Sequence, residues 1–274
     1  MGVPYAEVIG DPIAHSKSPL IHKFWLEKLG MKGDYRLVRL PADGLGPYFD
    51  SRRADPDWRG CNVTIPYKQK ITSLLDEQRV YGTDAVNCVV PQEGRLIGFN
   101  TDAAGVGAAL NNGIDTTAPV CIIGAGGAAG AAIAELDILA VYQFNVIARN
   151  PAQGRALVEP YDEYGKVYSF EEAREAMRGS VALINATPLG MTGFDPMPEP
   201  VLAAVAELSE EALVFDMVYA PLRTELLRSA ERHGLRAVDG LTMLIGQARP
   251  AFRYFFGADA PLAHVAELRE CLAR

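Results

Sequence analysis

The sequence predicts an α/β protein of two domains. Three observations carry this reading. Apolar strand segments alternate with helix-patterned segments along the chain, the order expected of an α/β fold. The length of 274 residues suits two domains of roughly 100–150 residues rather than one core. An apolar strand at 119–123 runs straight into a glycine-rich turn and then a helix, the join that opens a doubly wound domain.

The elements follow in order. Residues 5–10 form a short apolar strand that ends in a Gly-Asp-Pro turn. Ser18 and Pro19 start a helix, serine as N-cap and proline in the first turn; Leu20, Ile21, Phe24, Trp25 and Leu29 make its apolar face. Gly30 ends it. Residues 35–40 and 61–65 read as the next strands. Pro66 opens a helix towards Leu75, which puts Lys68 in a first helical turn. Residues 84–91 and 95–99 read as a hairpin-like pair around 92–94. The Ala/Gly-rich stretch 103–110 is a helical connector. After 119–123, a helix runs through Ala140 and a strand covers 144–148. Residues 181–185 and 214–216 are further buried strands, and a helix rich in aromatics (Phe252, Tyr254, Phe255, Phe256) begins near Leu241.

Composition narrows the function classes. Hydrophobic residues make up 49% and charged residues 22%, an ordinary globular mixture. The net charge of −8 comes without a basic stripe, which argues against nucleic-acid binding. No run approaches the roughly 18 apolar residues of a membrane span, and no basic-then-apolar leader opens the chain. A cytoplasmic protein is expected. Cys61, Cys88, Cys121 and Cys271 are scattered without metal spacing, so free thiols and no metal site are expected.

The glycine turn reads Gly124-Ala125-Gly126-Gly127-Ala128-Ala129-Gly130. Gly124 permits the tight turn, Gly126 lets a pyrophosphate approach the backbone, and the small residue at 129 lets helix and strand pack closely. Free N–H groups at the helix start receive the negative charge. The residue that separates the two nicotinamide dinucleotides belongs at the end of the next strand, about 20 residues on. No carboxylate stands there; Arg149 does, followed by Asn150, and a guanidinium suits a 2′-phosphate. NADP is therefore the expected cofactor, with NAD as an alternative.

Four further constellations can carry chemistry. Asn62 and Thr64 share a strand face ahead of Lys68, where a helix dipole would oppose the lysine's charge and favour proton exchange. Asp102 closes the run Gly98-Phe99-Asn100-Thr101-Asp102, where capping the connector helix would serve equally well. Ser16 and Ser18 flank a helix start, so their hydroxyls can bind a carboxylate. Asp239-Gly240 and Gln247 lie one helix span apart.

Taken in order, HSKSP (15–19), NVTIPYK (62–68), AVN (85–87), GFNTD (98–102), GAGGAAG (124–130), ATPLGM (186–191), DMVYAPLRT (216–224) and DGLTMLIGQA (239–248) resemble the shikimate dehydrogenase family over nearly the whole chain. The resemblance implies a substrate domain built from both chain ends, 1–103 and 238–274, around a Rossmann-like NADP-binding domain at 104–237. It implies reversible reduction of 3-dehydroshikimate to shikimate, with Lys68 and Asp102 as the catalytic pair. Ser16 and Ser18 match the serines that bind the substrate carboxylate. Thr64, Asn87 and Gln247 match residues that hold ring hydroxyls, and Tyr219 matches a substrate-side tyrosine. Gly124, Gly126, Gly127, Arg149, Met217 and Gly240 match cofactor contacts, with Ala125, Ala128 and Asn150 beside them. The pattern departs from the family at 148–150, where Ala-Arg-Asn replaces Asn-Arg-Thr, and at Gln153, where a second basic residue is usual. A quinate/shikimate dehydrogenase is the nearest alternative. A catalytically silent sensor is another, although a mere binder needs neither Lys68 nor Asp102. Small-molecule substrates are the expected partners, to a monomer or homodimer.

Overall fold

The computed structural model describes residues 2–110, 113–161 and 163–274. The chain divides into two compact units, Met1–Thr101 with Gln247–Arg274, and Asp102–Gly246. Up to Thr101 it forms β1 (Tyr5–Gly10), α1 (Ser18–Lys28), β2 (Asp34–Arg39), α2 (Leu45–Arg53), β3 (Trp58–Val63), β4 (Glu77–Arg79), β5 (Cys88–Gln92) and β6 (Arg95–Phe99). The second unit begins with α3 (Asp102–Leu110), β7 (Val120–Ile123), α4 (Gly127–Ile138), β8 (Phe144–Ile147), α5 (Pro151–Val158) and β9 (Gly165–Tyr168). It continues with α6 (Ala173–Met177), β10 (Ala182–Asn185), α7 (Glu199–Ala204), β11 (Leu213–Asp216), α8 (Glu225–Arg232) and β12 (Arg236–Val238). Helix α9 (Gly240–Phe256) starts in the second unit and passes into the first at Gln247, and α10 (Val265–Ala273) follows.

The first unit's sheet is mixed, in the order β2-β1-β3-β5-β6-β4. Strand β1 lies parallel to both β2 and β3, while β5 runs antiparallel to β3 and β6. All six residues of β1 are buried, because alternate side chains enter different cores. Tyr5 and Ile9 join Trp58, Val63 and Ile71; Ala6 and Val8 join Tyr35, Ile97 and Phe255.

Glu7 interrupts this apolar strand and is 1% exposed. Arg52 on α2 meets it with both Nε and Nη2, at 2.7 and 2.9 Å, and the Tyr48 hydroxyl donates to the same carboxylate at 2.7 Å. The pairing holds the guanidinium pKa above its ordinary value. The Arg52 guanidinium also lies over the Tyr48 ring, 4.9 Å from its centroid.

His22 sits on the other side of this sheet, fully buried and stacked on Tyr35 at 4.1 Å with Trp25 and Phe252 around it. Among the described residues, neither ring nitrogen has a hydrogen-bond partner. Burial lowers its pKa from 6.5 to about 3. The unfolded chain therefore takes up a proton below pH 6.5 that the folded chain refuses, so stability is full above 6.5 and falls as pH drops towards 3. Between pH 7 and pH 5 the wild type is expected to lose about 2 kcal/mol more than His22→Phe in urea unfolding. Equal losses in the two proteins would show that His22 is not the titrating group.

The second unit's sheet is wholly parallel, β12-β11-β10-β7-β8-β9. Relative to its first strand the order is 3-2-1-4-5-6, the doubly wound arrangement, and its switch point lies between β7 and β10. Alternate residues of β7 feed the cores on either face, Val120 and Ile122 on one and Cys121 and Ile123 on the other.

Four expectations need correction. No helix opens at Pro66: Tyr67 N–H closes a turn on Thr64 O at 2.9 Å, and 3-10 turns begin only at Lys70. Ile65 has no side-chain acceptor to cap a helix there, so Lys68 lies in a turn and no helix dipole acts on it. Ser18 is not the N-cap; Lys17 is, and the Ser16 hydroxyl accepts from Ser18 N–H at 3.4 Å. The strand expected over 84–91 starts at Cys88, since the residues before it are held by irregular bonds to Lys68 and Thr101. Strand β3 likewise stops at Val63, so Thr64 is not on it.

Candidate functional site

In the first unit, the polar residues gather where parallel β1 and β3 end side by side. Thr64 N–H donates to Ile9 O at 3.0 Å, and Asp11 N–H to Ile65 O at 3.2 Å, which ties the loop holding Ser16 to the turn holding Lys68. Gly10 makes this approach possible, because a Cβ there would meet Thr64 Cγ2 at 2.6 Å. Ser18 is buried at the start of α1, and Ser16 is half-buried.

Asn87 is the anchor of this cluster and is 3% exposed. Its N–H donates to Phe99 O at 3.0 Å, and its carbonyl accepts from Val63 N–H at 2.8 Å and Asn62 Nδ2 at 3.1 Å. Its side-chain Oδ1 accepts from Thr101 N–H at 2.7 Å. The preceding residue, Val86, donates its N–H to Lys68 O at 2.8 Å. Two adjacent residues thus pin the backbone at Lys68 and at Thr101, the residue before Asp102. Gln247 Oε1 stands 3.5 Å from Thr101 Oγ1. Asn62 is fixed in turn by the buried Tyr35 hydroxyl at 2.7 Å. Nothing in the sequence singled out Tyr35; its signal would be an aromatic on the edge strand β2 facing an asparagine two strands away on β3.

In the second unit, Gly124 has φ +116° and donates its N–H to Ile147 O at 2.8 Å. A Cβ there would meet Thr187 Cγ2 at 2.8 Å and Ala186 O at 3.1 Å, so the position requires glycine. At Gly126 and Gly127 a Cβ would meet nothing within 4 Å. This open face lies at the N-terminus of α4, whose first amides, from Gly127 through Ala128 to Ala129, have no carbonyl one turn back. Ala125 precedes them, half-buried. The geometry fits a diphosphate.

Strand β8 neighbours β7, so exposed Arg149 emerges beside the glycine turn. Asn150 spends its side-chain oxygen on capping α5, accepting from Ala152 N–H at 3.0 Å. Met217 and Tyr219 follow β11, and burial raises the Tyr219 pKa. Gly240 packs where a Cβ would lie 2.4 Å from Met217 O. Asp102 opens α3 and is 7% exposed.

A doubly wound parallel sheet with a glycine turn at its switch point, joined to a second α/β unit rich in polar loops, is the architecture of a two-domain dinucleotide-dependent dehydrogenase. Residues 8–89 match the model of the shikimate dehydrogenase substrate binding domain, and 240–268 match that of the shikimate 5'-dehydrogenase C-terminal domain. A shikimate dehydrogenase (NADP(+)) of Sphingopyxis alaskensis is 47% identical over 272 residues, covering 98% of this chain and 97% of its own. The chain belongs to the shikimate dehydrogenase family. Among solved structures, shikimate 5-dehydrogenase of Thermus thermophilus in complex with NADP(H) and shikimate superposes with a TM-score of 0.83 at 35% identity, covering 98% of this chain and 99% of that one. The Listeria monocytogenes enzyme in complex with shikimate and NAD gives 0.87 at 30% identity, covering 98% and 96%.

Proposed function

We propose that this chain catalyses the reversible NADP-linked reduction of 3-dehydroshikimate to shikimate, a step towards aromatic amino acids. The observation that carries the proposal is the anchoring of Lys68 and Thr101–Asp102 on Val86 and Asn87, in a chain 47% identical to a shikimate dehydrogenase (NADP(+)). NADPH, when bound, supplies the hydride. The open backbone at Gly126 and Gly127 and the amides of Ala128 and Ala129 would hold its diphosphate, with Gly124 and Ala125 shaping the turn. Arg149 and Asn150 would meet its adenosine end, and Met217 and Gly240 its other end.

Reduction leaves negative charge growing on the ketone oxygen. Lys68 stabilises that charge and donates the proton, while Asp102 accepts a hydrogen bond from the reacting hydroxyl and keeps proton transfer directional. Ser16 and Ser18 bind the substrate carboxylate. Thr64, Asn87, Gln247 and Tyr219 hold the ring. In this reading, 1–103 and 238–274 take the substrate and 104–237 the cofactor. The activity is cytoplasmic, in keeping with four free cysteines, and the active species is a monomer or homodimer.

Comparing kcat/KM for shikimate and quinate, each with NADP and NAD, tests the proposal. Shikimate with NADP should be the best pair. Oxidation of neither acid with either cofactor would end the reading, and preference for quinate would move it to the quinate/shikimate branch. Arg149→Ala is expected to raise KM for NADP more than for NAD, because a guanidinium pairs with the 2′-phosphate that only NADP carries. Equal rises for both cofactors would remove Arg149 from that role. Since Gln153 stands where a second cation is usual, some NAD use by the wild type is expected.

A further inference from the structure

The motifs at 186–191 and 216–224 converge on one buried carboxylate. Asp216 ends β11 and is 0% exposed. Its Oδ1 accepts from Asn185 Nδ2 at 2.8 Å and Val218 N–H at 3.0 Å, and its Oδ2 accepts from the Thr224 hydroxyl at 2.6 Å. Thr224 caps α8 with the same oxygen, which accepts from Leu227 N–H at 3.3 Å. Asn185 turns its other end to Thr187, accepting from its N–H at 3.1 Å and its hydroxyl at 2.7 Å. A backbone bond from Thr192 N–H to Ala220 O, 2.8 Å, ties the two loops again.

The chain of contacts reaches the glycine turn. Ala186 N–H donates to Ile123 O at 2.9 Å, and Thr187 and Ala186 are the atoms that close on Gly124. From Thr224 to Gly124 the links are therefore continuous. Among the described residues no cation pairs with Asp216, and burial raises its pKa against the three donors. An apolar residue would fill the space without that desolvation. A fully satisfied polar network does something apolar packing does not: it fixes one loop conformation.

We propose that Asp216 is a positioning residue that, through Asn185 and Thr224, holds the glycine turn and the loop bearing Met217 and Tyr219 as one block, so that NADPH affinity depends on Thr224. This rests on the proposed function above. Thr224 is 1% exposed and can touch no ligand, so any effect it has on binding passes through the network.

The test is titration of NADPH fluorescence with the full-length wild type, Thr224→Val and Thr224→Ser. Valine leaves Asp216 Oδ2 without its donor, and NADPH should bind about 10-fold more weakly; serine keeps the hydroxyl and should stay within about 2-fold of the wild type. A valine variant that binds like the wild type overturns the role, as does a serine variant as weak as valine. If the valine variant does not fold, Asp216→Asn gives the reading: its one oxygen cannot serve both Thr224 and the Asn185–Val218 pair. With that oxygen kept on Asn185 and Val218, its NH2 faces Thr224 and accepts no proton, so binding should weaken about 3-fold, and unchanged binding overturns the role. A wild type that fails to bind NADPH sinks the proposed function and this role together. A wild type that binds, with indifferent variants, sinks this role alone.

Discussion

Lys68→Ala is expected to lower kcat by at least about 100-fold, within the usual 10²–10⁴ range for a group that moves a proton in the transition state. The effect on KM should be smaller, because the carboxylate and ring hydroxyls are held by other residues. The fold should survive. It is the Lys68 carbonyl, not its amine, that receives Val86 N–H, and alanine keeps that carbonyl. Steady-state kinetics with shikimate and NADP at saturation, beside a melting curve, separates chemistry from stability. An alanine variant with wild-type kcat would take Lys68 out of the mechanism.

The second large effect lies in the first unit's core. Glu7 is 1% exposed, and Arg52→Ala leaves its carboxylate with the Tyr48 hydroxyl as its one remaining partner among the described residues. Removing one partner of such a pair destabilises by about 3–5 kcal/mol. For a chain of this size that is a fall in Tm of roughly 6–20 °C, at about 2–4 °C per kcal/mol. The joint change Glu7→Gln with Arg52→Met removes both charges and keeps an acceptor for Tyr48, so it should recover at least half of the loss. Thermal unfolding of the three proteins checks this. A double variant as unstable as Arg52→Ala would mean that packing of the arginine stem, rather than the stranded charge, carries the effect.

How much of this was legible in the sequence depends on the kind of bond involved. Strands β1 and β6 have the bounds read from the sequence, because a strand buried on both faces leaves a mostly apolar run, broken in β1 only by Glu7 and preceded in β6 by exposed Arg95. The glycine turn was legible because its backbone demands are local: Gly124 needs φ +116° and no Cβ. Lys68 misled, since Pro66 reads equally well as a helix start or as part of a turn, and the deciding bond, Tyr67 to Thr64, is invisible in composition. Glu7 went unmarked in the strand read over 5–10, because its partner Arg52 lies 45 positions away. Thr64 and Gln247 were legible from their spacing to neighbouring polar residues, whereas Asn87 was legible only through the resemblance of its AVN run to the family. Thr101, which joins Asn87 to Gln247, was not, because its value comes from bonds spanning 14 and 146 positions. The Asp216 network was hidden likewise: the motifs were visible, but not that they share one carboxylate.

The first unit's chain order has a consequence for synthesis. Its sheet is finished at Phe99, yet the rings that close over His22 and Tyr35 belong to Phe252 and Phe255 on α9. At about 5–20 residues per second, the ribosome needs roughly 8–30 s to make the intervening chain. During that time the whole of the second unit emerges and can fold, while the first holds an open aromatic face. A nascent chain stalled before α9 should therefore bind chaperones through the open face of the first unit, and a segment made after the second unit completes the first.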